Sequence, residues 1–325
     1  MTAHHIAVID DFQEKSIQTI ADCIPGDWKL HVSPSGSPED VTATIADADV
    51  IFLMGKGVTE SMVNASPKLR FIQKLGAGVD NIDVQACSAR GVTVAKLAGG
   101  NAVPVAEHTL LMTLATLRRL AQLDRDTRKG LWVREQARTV SRQLTRKTVG
   151  IVGFGAIGRA YAQVLQGFDV KVKYFDIVKA PANVCETLNA TYTDFDELLS
   201  TSDVISVHTP LTALTRHLFG KREFAMMKPE AVFINCARGG IVDEDALIHA
   251  LVNGLIHGAG IDVFGQEPPD ASIQFFELDN CVVTPHTAGG TVDNFEYVVR
   301  RAVENVHRLD RGEPLPAADL IKSKQ

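Results

Sequence analysis

Nowhere in the 325 residues does an apolar run approach the length of a membrane span. The opening Met1-Thr2-Ala3-His4-His5-Ile6-Ala7-Val8-Ile9-Asp10 lacks the charged, apolar and cleavage regions of a signal peptide and enters a strand pattern at once. Cysteine is sparse: Cys23, Cys87, Cys185, Cys236 and Cys281 are scattered, odd in number and never at C-x-x-C spacing. That excludes a disulfide framework and a cysteine zinc site; no metal is expected, and a reduced compartment, the cytoplasm, is the default. Positive charge is not in excess. A formal net charge of −6 argues against general nucleic-acid affinity, though it leaves local anion pockets open. Low-complexity segments and convincing internal repeats are also missing.

What is present is alternation. The chain is long for one core, so two domains are expected. Strand patterns at residues 6–10, 50–54, 71–75 and 92–95 alternate with helical ones, such as 13–23, where Ile17, Ile20 and Ile24 recur at helical spacing. Such alternation implies parallel strands with helices on both faces. After Gly99-Gly100-Asn101 an amphipathic pattern predicts one long helix from Val103 to about Arg128, with Leu110, Leu111, Leu114, Leu117 and Leu120 on its stripe. Its length suggests a domain link or an oligomer interface. The arginine-rich stretch that follows (Arg134, Arg138, Arg142, Arg146) reads as a solvated arm. From Thr148 the alternation resumes, with strands at 148–152, 170–175, 204–207, 231–235, 258–262 and 281–284 and a last helix at 292–309.

Between the strand at 148–152 and a helical pattern lies Gly153-Phe154-Gly155-Ala156-Ile157-Gly158, a G-x-G-x-x-G loop. Strand, glycine turn and helix give this motif its meaning. Gly153 turns the chain, Gly155 admits a pyrophosphate to the backbone, and Gly158 lets helix and strand pack closely. The helix start, with Ala156 and Ile157, offers N–H groups and a positive dipole end. Asp176 ends the next strand, 18 residues past Gly158, where a carboxylate can accept from adenosine ribose hydroxyls. A carboxylate there favours NAD over NADP, with the neighbouring Lys179 as a partial offset.

Ligands of open parallel sheets bind past the carboxyl ends of strands, and four polar clusters fall at such places. They are residues 75–83, a glycine turn able to hold a carboxylate; 235–240, with Arg238; 262–268, with Asp262 and Glu267; and 284–290, with His286. Taken singly, Arg238 could be a surface ion-pair partner, Glu267 a loop carboxylate and His286 a structural histidine. Lys56, in Met54-Gly55-Lys56-Gly57, could face a cleft and select an acidic or phosphorylated substrate, or simply face solvent. His108 is expected to pack within its helix or to hydrogen-bond locally.

In combination the motifs are specific. Gly76-Ala77-Gly78-Val79-Asp80-Asn81-Ile82-Asp83, Gly100-Asn101-Ala102-Val103 with Ala106-Glu107-His108, the nucleotide loop, residues 235–240, residues 262–268 and Thr284-Pro285-His286 occur in the order of the D-2-hydroxyacid dehydrogenases. The chain resembles that family from about residue 50 to residue 310. The resemblance implies an α/β chain of two Rossmann-like doubly wound parallel-sheet domains with the active site in the interdomain cleft. Residues 1–99 would form the substrate domain and 100–289 the NAD-binding domain. Residues 290–325 would return to the first. It implies reversible NAD-linked hydride transfer between a 2-keto acid and its D-2-hydroxy acid.

By the same resemblance Arg238 would grip the substrate carboxylate, since a planar fork of donors matches two oxygens together. His286 would give the carbonyl oxygen its proton, a task that suits a side chain whose ordinary pKa lies near working pH. Glu267 would hold the His286 ring. Asp262 would bind the nicotinamide carboxamide, and His208, Pro210, Cys236, Ala237 and Gly289 would flank the cofactor. Ala77 and Gly78 would offer backbone N–H groups to the carboxylate, and Lys56 stands as a possible further substrate contact. Ala156-Ile157 lacks the basic residue that many relatives place there, which removes one phosphate contact. The expected partner is a second copy of the chain, through the long helix and arm after residue 103. No regulatory domain is expected beyond Gln325. Two other readings stay open: oxidation of another small anion such as formate or phosphite, the former disfavoured by Glu267 beside His286, and a dinucleotide-sensing corepressor-like binding protein.

Overall fold

The computed structural model describes residues 3–321. The chain divides into two compact units, one built from residues up to Asn101 together with those from Thr291 onward, the other from Ala102–Gly290. Unit 1 begins β1 (His5–Val8), α1 (Glu14–Cys23), β2 (Lys29–Val32), α2 (Pro38–Ile45) and β3 (Val50–Leu53). It continues α3 (Glu60–Ala65), β4 (Phe71–Lys74), α4 (Val84–Ala89) and β5 (Thr93–Ala95). Unit 2 opens with three helices, α5 (Ala102–Leu117), α6 (Leu120–Arg128) and α7 (Arg134–Val140). Alternation follows: β6 (Thr148–Val152), α8 (Ala156–Val164), β7 (Lys171–Phe175), α9 (Ala182–Leu188), β8 (Ala190–Tyr192), α10 (Phe195–Thr201) and β9 (Val204–Val207). The unit closes with α11 (Lys221–Met226), β10 (Val232–Asn235), α12 (Glu244–Val252), β11 (Gly258–Ile261) and β12 (Cys281–Val283). Finally α13 (Val292–Asp310) and β13 (Leu320–Ile321) complete unit 1.

Both sheets are doubly wound. Unit 1 has the strand order β13-β5-β4-β3-β1-β2, parallel but for β13, which pairs antiparallel with β5. Its two apolar layers bring Ile20 and the buried stripe Val298, Val299, Ala302 and Val306 of α13 to one face. Val41, Ile45, Val63 and Cys87 cover the other. Unit 2 has the order β12-β11-β10-β9-β6-β7-β8, all parallel. There α5 and α8 cover one face with Val105, Met112, Tyr161 and Ala162, and α10 to α12 cover the other. β3, β4, β9, β10 and β11 are buried throughout, which is why they read as continuous apolar runs. Among the described residues no helix is long and apolar enough to cross a membrane.

The single long helix expected from Val103 to Arg128 is two helices. Arg119 stands in the left-handed region at φ 54°, so the intrahelical ladder stops at Leu117 and restarts at Leu120. The Arg119 guanidinium donates to the His257 carbonyl at 2.7 Å, which anchors its side chain, and the Leu117 carbonyl at the break accepts from the Arg142 N–H at 2.8 Å. The buried face of α5 also differs from the leucine stripe. It carries Thr109, Thr113 and Thr116 alongside Val105 and Met112, while Leu111 and Leu120 are exposed. The Thr109 and Thr113 hydroxyls donate to carbonyls four residues back, so these two are buried with their donors met, whereas the Thr116 hydroxyl has no partner among the described residues. The arm is not wholly irregular, since Arg134 and Arg138 lie in α7.

Candidate active site

In unit 2 the chain leaves neighbouring strands β6 and β9 toward opposite sides, the switch point at which such sheets bind ligands. Gly153 follows β6 at φ 94°, and a Cβ there would lie 2.7 Å from the His208 carbonyl carbon. A Cβ on Gly158 would lie 2.2 Å from the Gly153 oxygen, so α8 can start this close to β6 only with glycine. Gly155 instead opens onto free space, and α8 begins there without a side-chain cap, leaving its first-turn N–H groups at Ala156 and Ile157 unclaimed by side chains. Asp176, just past β7, accepts from the Phe154 N–H at 2.7 Å and the Val178 N–H at 3.1 Å, which fixes its carboxylate against the glycine turn. The Lys179 ammonium lies over the Tyr192 ring, 4.2 Å from its centroid. Across the switch point the His208 Nε2 meets the Ser206 hydroxyl at 3.1 Å. Burial pushes the His208 pKa down to about 3, so this ring is neutral. Its Nδ1 and the Thr209 hydroxyl are buried without a protein partner among the described residues, beside an open glycine turn. Unmet polar atoms of this kind are expected where a polar ligand completes the site, and the donor set fits a dinucleotide. Pro210 is exposed at the same edge, its carbonyl accepting from the Thr215 hydroxyl at 2.6 Å.

The three residues proposed for chemistry sit on adjoining loops at the same carboxyl edge. Arg238 follows β10, and Asn235 brackets it, its side chain donating to the Arg238 carbonyl at 3.0 Å and accepting from the Ala237 N–H at 3.0 Å. The Arg238 Nη1 donates to the Ala237 carbonyl at 2.7 Å. A Cβ on Gly239 would fall 1.9 Å from the Phe264 carbonyl carbon, so the Arg238 loop and the loop after β11 press backbone to backbone. That second loop carries Glu267, which accepts from the Phe264 N–H at 3.1 Å and pairs with the His286 Nδ1 at 2.7 Å. Burial alone would raise the Glu267 pKa. The hydrogen bonds from His286 and Phe264, with the charges of His286 and Arg238, outweigh it and bring the pKa below the usual range. Glu267 is therefore a carboxylate and an acceptor, His286 must carry its hydrogen on Nδ1, and Nε2 is left without a protein partner among the described residues. The ring is 43 % exposed and rides on a left-handed backbone, φ 54°. Cys236 is buried, and its thiol is pushed up to about 12 by burial first and by Asp262 second, so it stays protonated.

Asp262 is 0 % exposed and engages its own loop. Oδ1 accepts from the Thr284 hydroxyl at 2.6 Å and the Thr287 N–H at 2.9 Å, while Oδ2 accepts from the Ala288 N–H at 3.0 Å. The residue expected at the nicotinamide thus also holds the turn on which His286 sits, and Gly289 follows directly on that turn. His108, expected to bond locally, reaches from α5 to the Thr284 hydroxyl at 3.1 Å, a partner 176 positions away. No sequence spacing could have shown that contact.

In unit 1, Lys56 follows β3, and its ammonium donates to the Gly36 carbonyl rather than standing unengaged. Its loop is tied down by the buried Asp10, which accepts from the N–H groups of Met54 at 2.6 Å, Gly55 at 2.6 Å and Lys56 at 2.7 Å. Ala77 and Gly78 follow β4, and among the described residues their N–H groups donate to no acceptor. Adjacent unclaimed amides make a concavity suited to an oxyanion.

Strand order, glycine turn and the acid after the second strand define unit 2 as a dinucleotide-binding α/β domain. The family model for the D-isomer specific 2-hydroxyacid dehydrogenase, NAD binding domain, matches residues 110–288. The chain belongs to that NAD-linked family. It is 33% identical over 310 residues to D-3-phosphoglycerate dehydrogenase of Methanocaldococcus jannaschii, a match covering 95% of this chain and 58% of that protein. It is 35% identical over 296 residues to glyoxylate reductase of Thermococcus litoralis, covering 89% of this chain and 88% of that one. Among solved structures, the NAD-dependent formate dehydrogenase from Staphylococcus aureus in complex with NAD is similar at 27% identity and TM-score 0.85, covering 98% and 99% of the two chains. The chain spans about half the length of the phosphoglycerate dehydrogenases it matches, from 44% to 58%.

Proposed function

We propose that the protein catalyses reversible NAD-dependent hydride transfer between a small 2-keto acid and its D-2-hydroxy acid. The observation that carries this reading is the 2.7 Å pair of His286 Nδ1 with Glu267, on a carboxylate that also feels the charge of Arg238. When bound, NADH would supply the hydride in reduction and NAD+ would take it up in oxidation. Gly153, Gly155, Ala156, Ile157 and Gly158 would hold its pyrophosphate, and Asp176 its adenosine ribose. His208, Thr209, Pro210, Cys236, Ala237 and Gly289 would flank it, with Asp262 Oδ2 keeping one acceptor position for the carboxamide. Arg238 would bind the substrate carboxylate and polarise the keto oxygen, with the amides of Ala77 and Gly78 on the carboxylate as well. As the carbonyl carbon gains hydride, its oxygen gains a proton from His286 Nε2. In oxidation Nε2 takes that proton back. Glu267 keeps the ring in the one tautomer that permits both directions. Lys56, occupied by Gly36, adds no support for a phosphorylated substrate.

The test is NADH consumption by the purified chain on glyoxylate, pyruvate, hydroxypyruvate, phenylpyruvate and phosphohydroxypyruvate, with NADPH and Arg238→Ala as controls. Formate and phosphite are run with NAD. Turnover of a keto acid, reduced about 10³-fold by Arg238→Ala, is expected. Tight NADH binding with no turnover would instead favour a dinucleotide sensor, and turnover on formate or phosphite alone would favour small-anion oxidation.

The partner we propose is a second copy of the chain. Trp132 is 81 % exposed, and Leu131, Leu120, Leu111 and Val103 also stand out on the helices and arm after residue 103. Exposed apolar surface of this extent marks association. Sedimentation should give a dimer that Trp132→Asp weakens; a wild-type monomer at micromolar concentration would remove the proposal.

A further inference from the structure

The loop that bears His286 is wound round one aspartate. Its backbone N–H groups at 287 and 288 go to the Asp262 carboxylate, at 2.9 and 3.0 Å. His286's own N–H goes to the Asp262 carbonyl at 2.7 Å and to the Thr284 carbonyl at 3.1 Å. This set of bonds keeps a non-glycine residue at φ 54°, a conformation that has a cost and persists only where the surroundings over-determine it. The remaining bond of the set is the Thr284 hydroxyl to Asp262 Oδ1, at 2.6 Å.

A hydroxyl has one proton to give. With that proton on Asp262, the 3.1 Å contact between Thr284 Oγ1 and His108 Nε2 has the nitrogen as donor. The Asp262 Oδ1 lies 3.5 Å from the same nitrogen, and a carboxylate there reinforces the Nε2–H tautomer. The polar chain therefore has one direction: His108 donates to Thr284, Thr284 to Asp262, and Asp262 gathers the Thr284 hydroxyl before His286 and the Thr287 and Ala288 amides after it. Nearby polar residues of α5 behave differently, for Thr109 and Thr113 spend their hydroxyls on their own helix. His108 spends its donor on the loop. Without it the Thr284 hydroxyl could turn toward its other neighbour, the Met112 sulfur at 3.9 Å, and release one side of the Asp262 wrapping.

We propose that His108 is a positioning residue for the proton donor. Through Thr284 and Asp262 it holds residues 284–288 in the one arrangement that keeps the His286 ring against Glu267 with Nε2 presented to the reacting oxygen. The inference rests on His286 being that donor. Misplacement of a reacting group by about 1 Å can cost on the order of 10²-fold in rate. Loosening one of several restraints should cost less, about tenfold.

The experiment measures kcat, KM for keto acid and NADH, single-turnover hydride transfer and melting temperature. The chains compared are wild type, His108→Leu, His108→Gln, Thr284→Val, the His108→Leu/Thr284→Val double variant and His286→Gln. Gln is included because its side-chain amide nitrogen can stand in for Nε2–H. His108→Leu and Thr284→Val should each lower kcat and single-turnover rate about tenfold, with KM for NADH within about twofold. His108→Gln should recover most of the rate, and the double variant should be no slower than the slower single, since both break one chain. Unchanged kcat in His108→Leu, no recovery with Gln, additive losses, or losses that follow melting temperature alone would each overturn the inference while leaving the function intact. Should His286→Gln turn over like wild type, the reading of His286 fails, and the inference falls with it.

Discussion

His4 and His286 each hold a carboxylate oxygen within 2.8 Å, and they are built for opposite ends. In unit 1, His4 is 1 % exposed and meets Asp49 with Nδ1 at 2.7 Å and Asp310 with Nε2 at 2.8 Å. In unit 2, His286 meets Glu267 with Nδ1 at 2.7 Å, is 43 % exposed and has no protein partner among the described residues at Nε2. Pair distance does not separate them. The second nitrogen does. A ring held at both nitrogens ties β1, the turn before β3 and the end of α13 together and can pass its proton nowhere. A ring held at one nitrogen has its tautomer set and its other nitrogen available for chemistry. A histidine–carboxylate pair is thus evidence of catalysis only when one nitrogen is unclaimed and faces a ligand edge.

The comparison is broken most severely at His286. His286→Gln keeps a polar side chain but cannot carry a proton between states, and kcat for keto-acid reduction should fall about 10³-fold. Melting temperature should hardly move, because the side chain is half exposed. Rates within about tenfold of wild type would show that water or another group supplies the proton, and that the open nitrogen is incidental.

Much of this was legible beforehand, for identifiable reasons. Strands buried on both faces announce themselves as apolar runs, so β3, β4, β6, β9, β10 and β11 were read within a residue or two. The glycine loop was legible because two of its glycines answer steric demands, seen in the contacts at Gly153 and Gly158, while Gly155 leaves open space. β2 and β8 were not read. β2 is an edge strand without a fully buried position and β8 is three residues long, so neither carries a periodic signal. The break at Arg119 was invisible because neither glycine nor proline marks it; a left-handed arginine is settled by its partner, the His257 carbonyl. At the site, strand-end positions marked the loops of Arg238, Glu267 and His286 and the family resemblance supplied the roles expected of them, whereas the second task of Asp262 and the reach of His108 depend on which loop folds over which helix. Lys56 shows the reverse, a suggestive residue whose charge is engaged by a carbonyl from elsewhere in its own unit.

A smaller and pH-dependent effect is expected at His4. Burial would lower its pKa, but the hydrogen bonds to Asp49 and Asp310 and their charges outweigh this, and the pKa stands above the ordinary histidine value. For Asp49, burial raises the pKa, while bonds from His4 and the His5 N–H, with the charges of His4 and Arg70, bring it below the ordinary value. A raised histidine stabilises the fold fully below its unfolded pKa, about 6.5, and loses that contribution as pH climbs through the folded value. A depressed aspartate stabilises above its unfolded pKa, about 3.9, and loses that as pH falls through the folded one. The clasp is therefore whole from about pH 4 to about pH 6.5 and weakens on the alkaline side. His4→Ala should cost about 3 kcal/mol near pH 6 by urea unfolding, since it strands two carboxylates with Arg70 as their remaining cation. Turnover per folded molecule should be untouched. The gap between variant and wild type should narrow steadily toward pH 9, a point at which an ordinary histidine is neutral. A gap of constant size across that range would mean that His4 is neutral in the fold, and that both histidines differ from each other by burial alone.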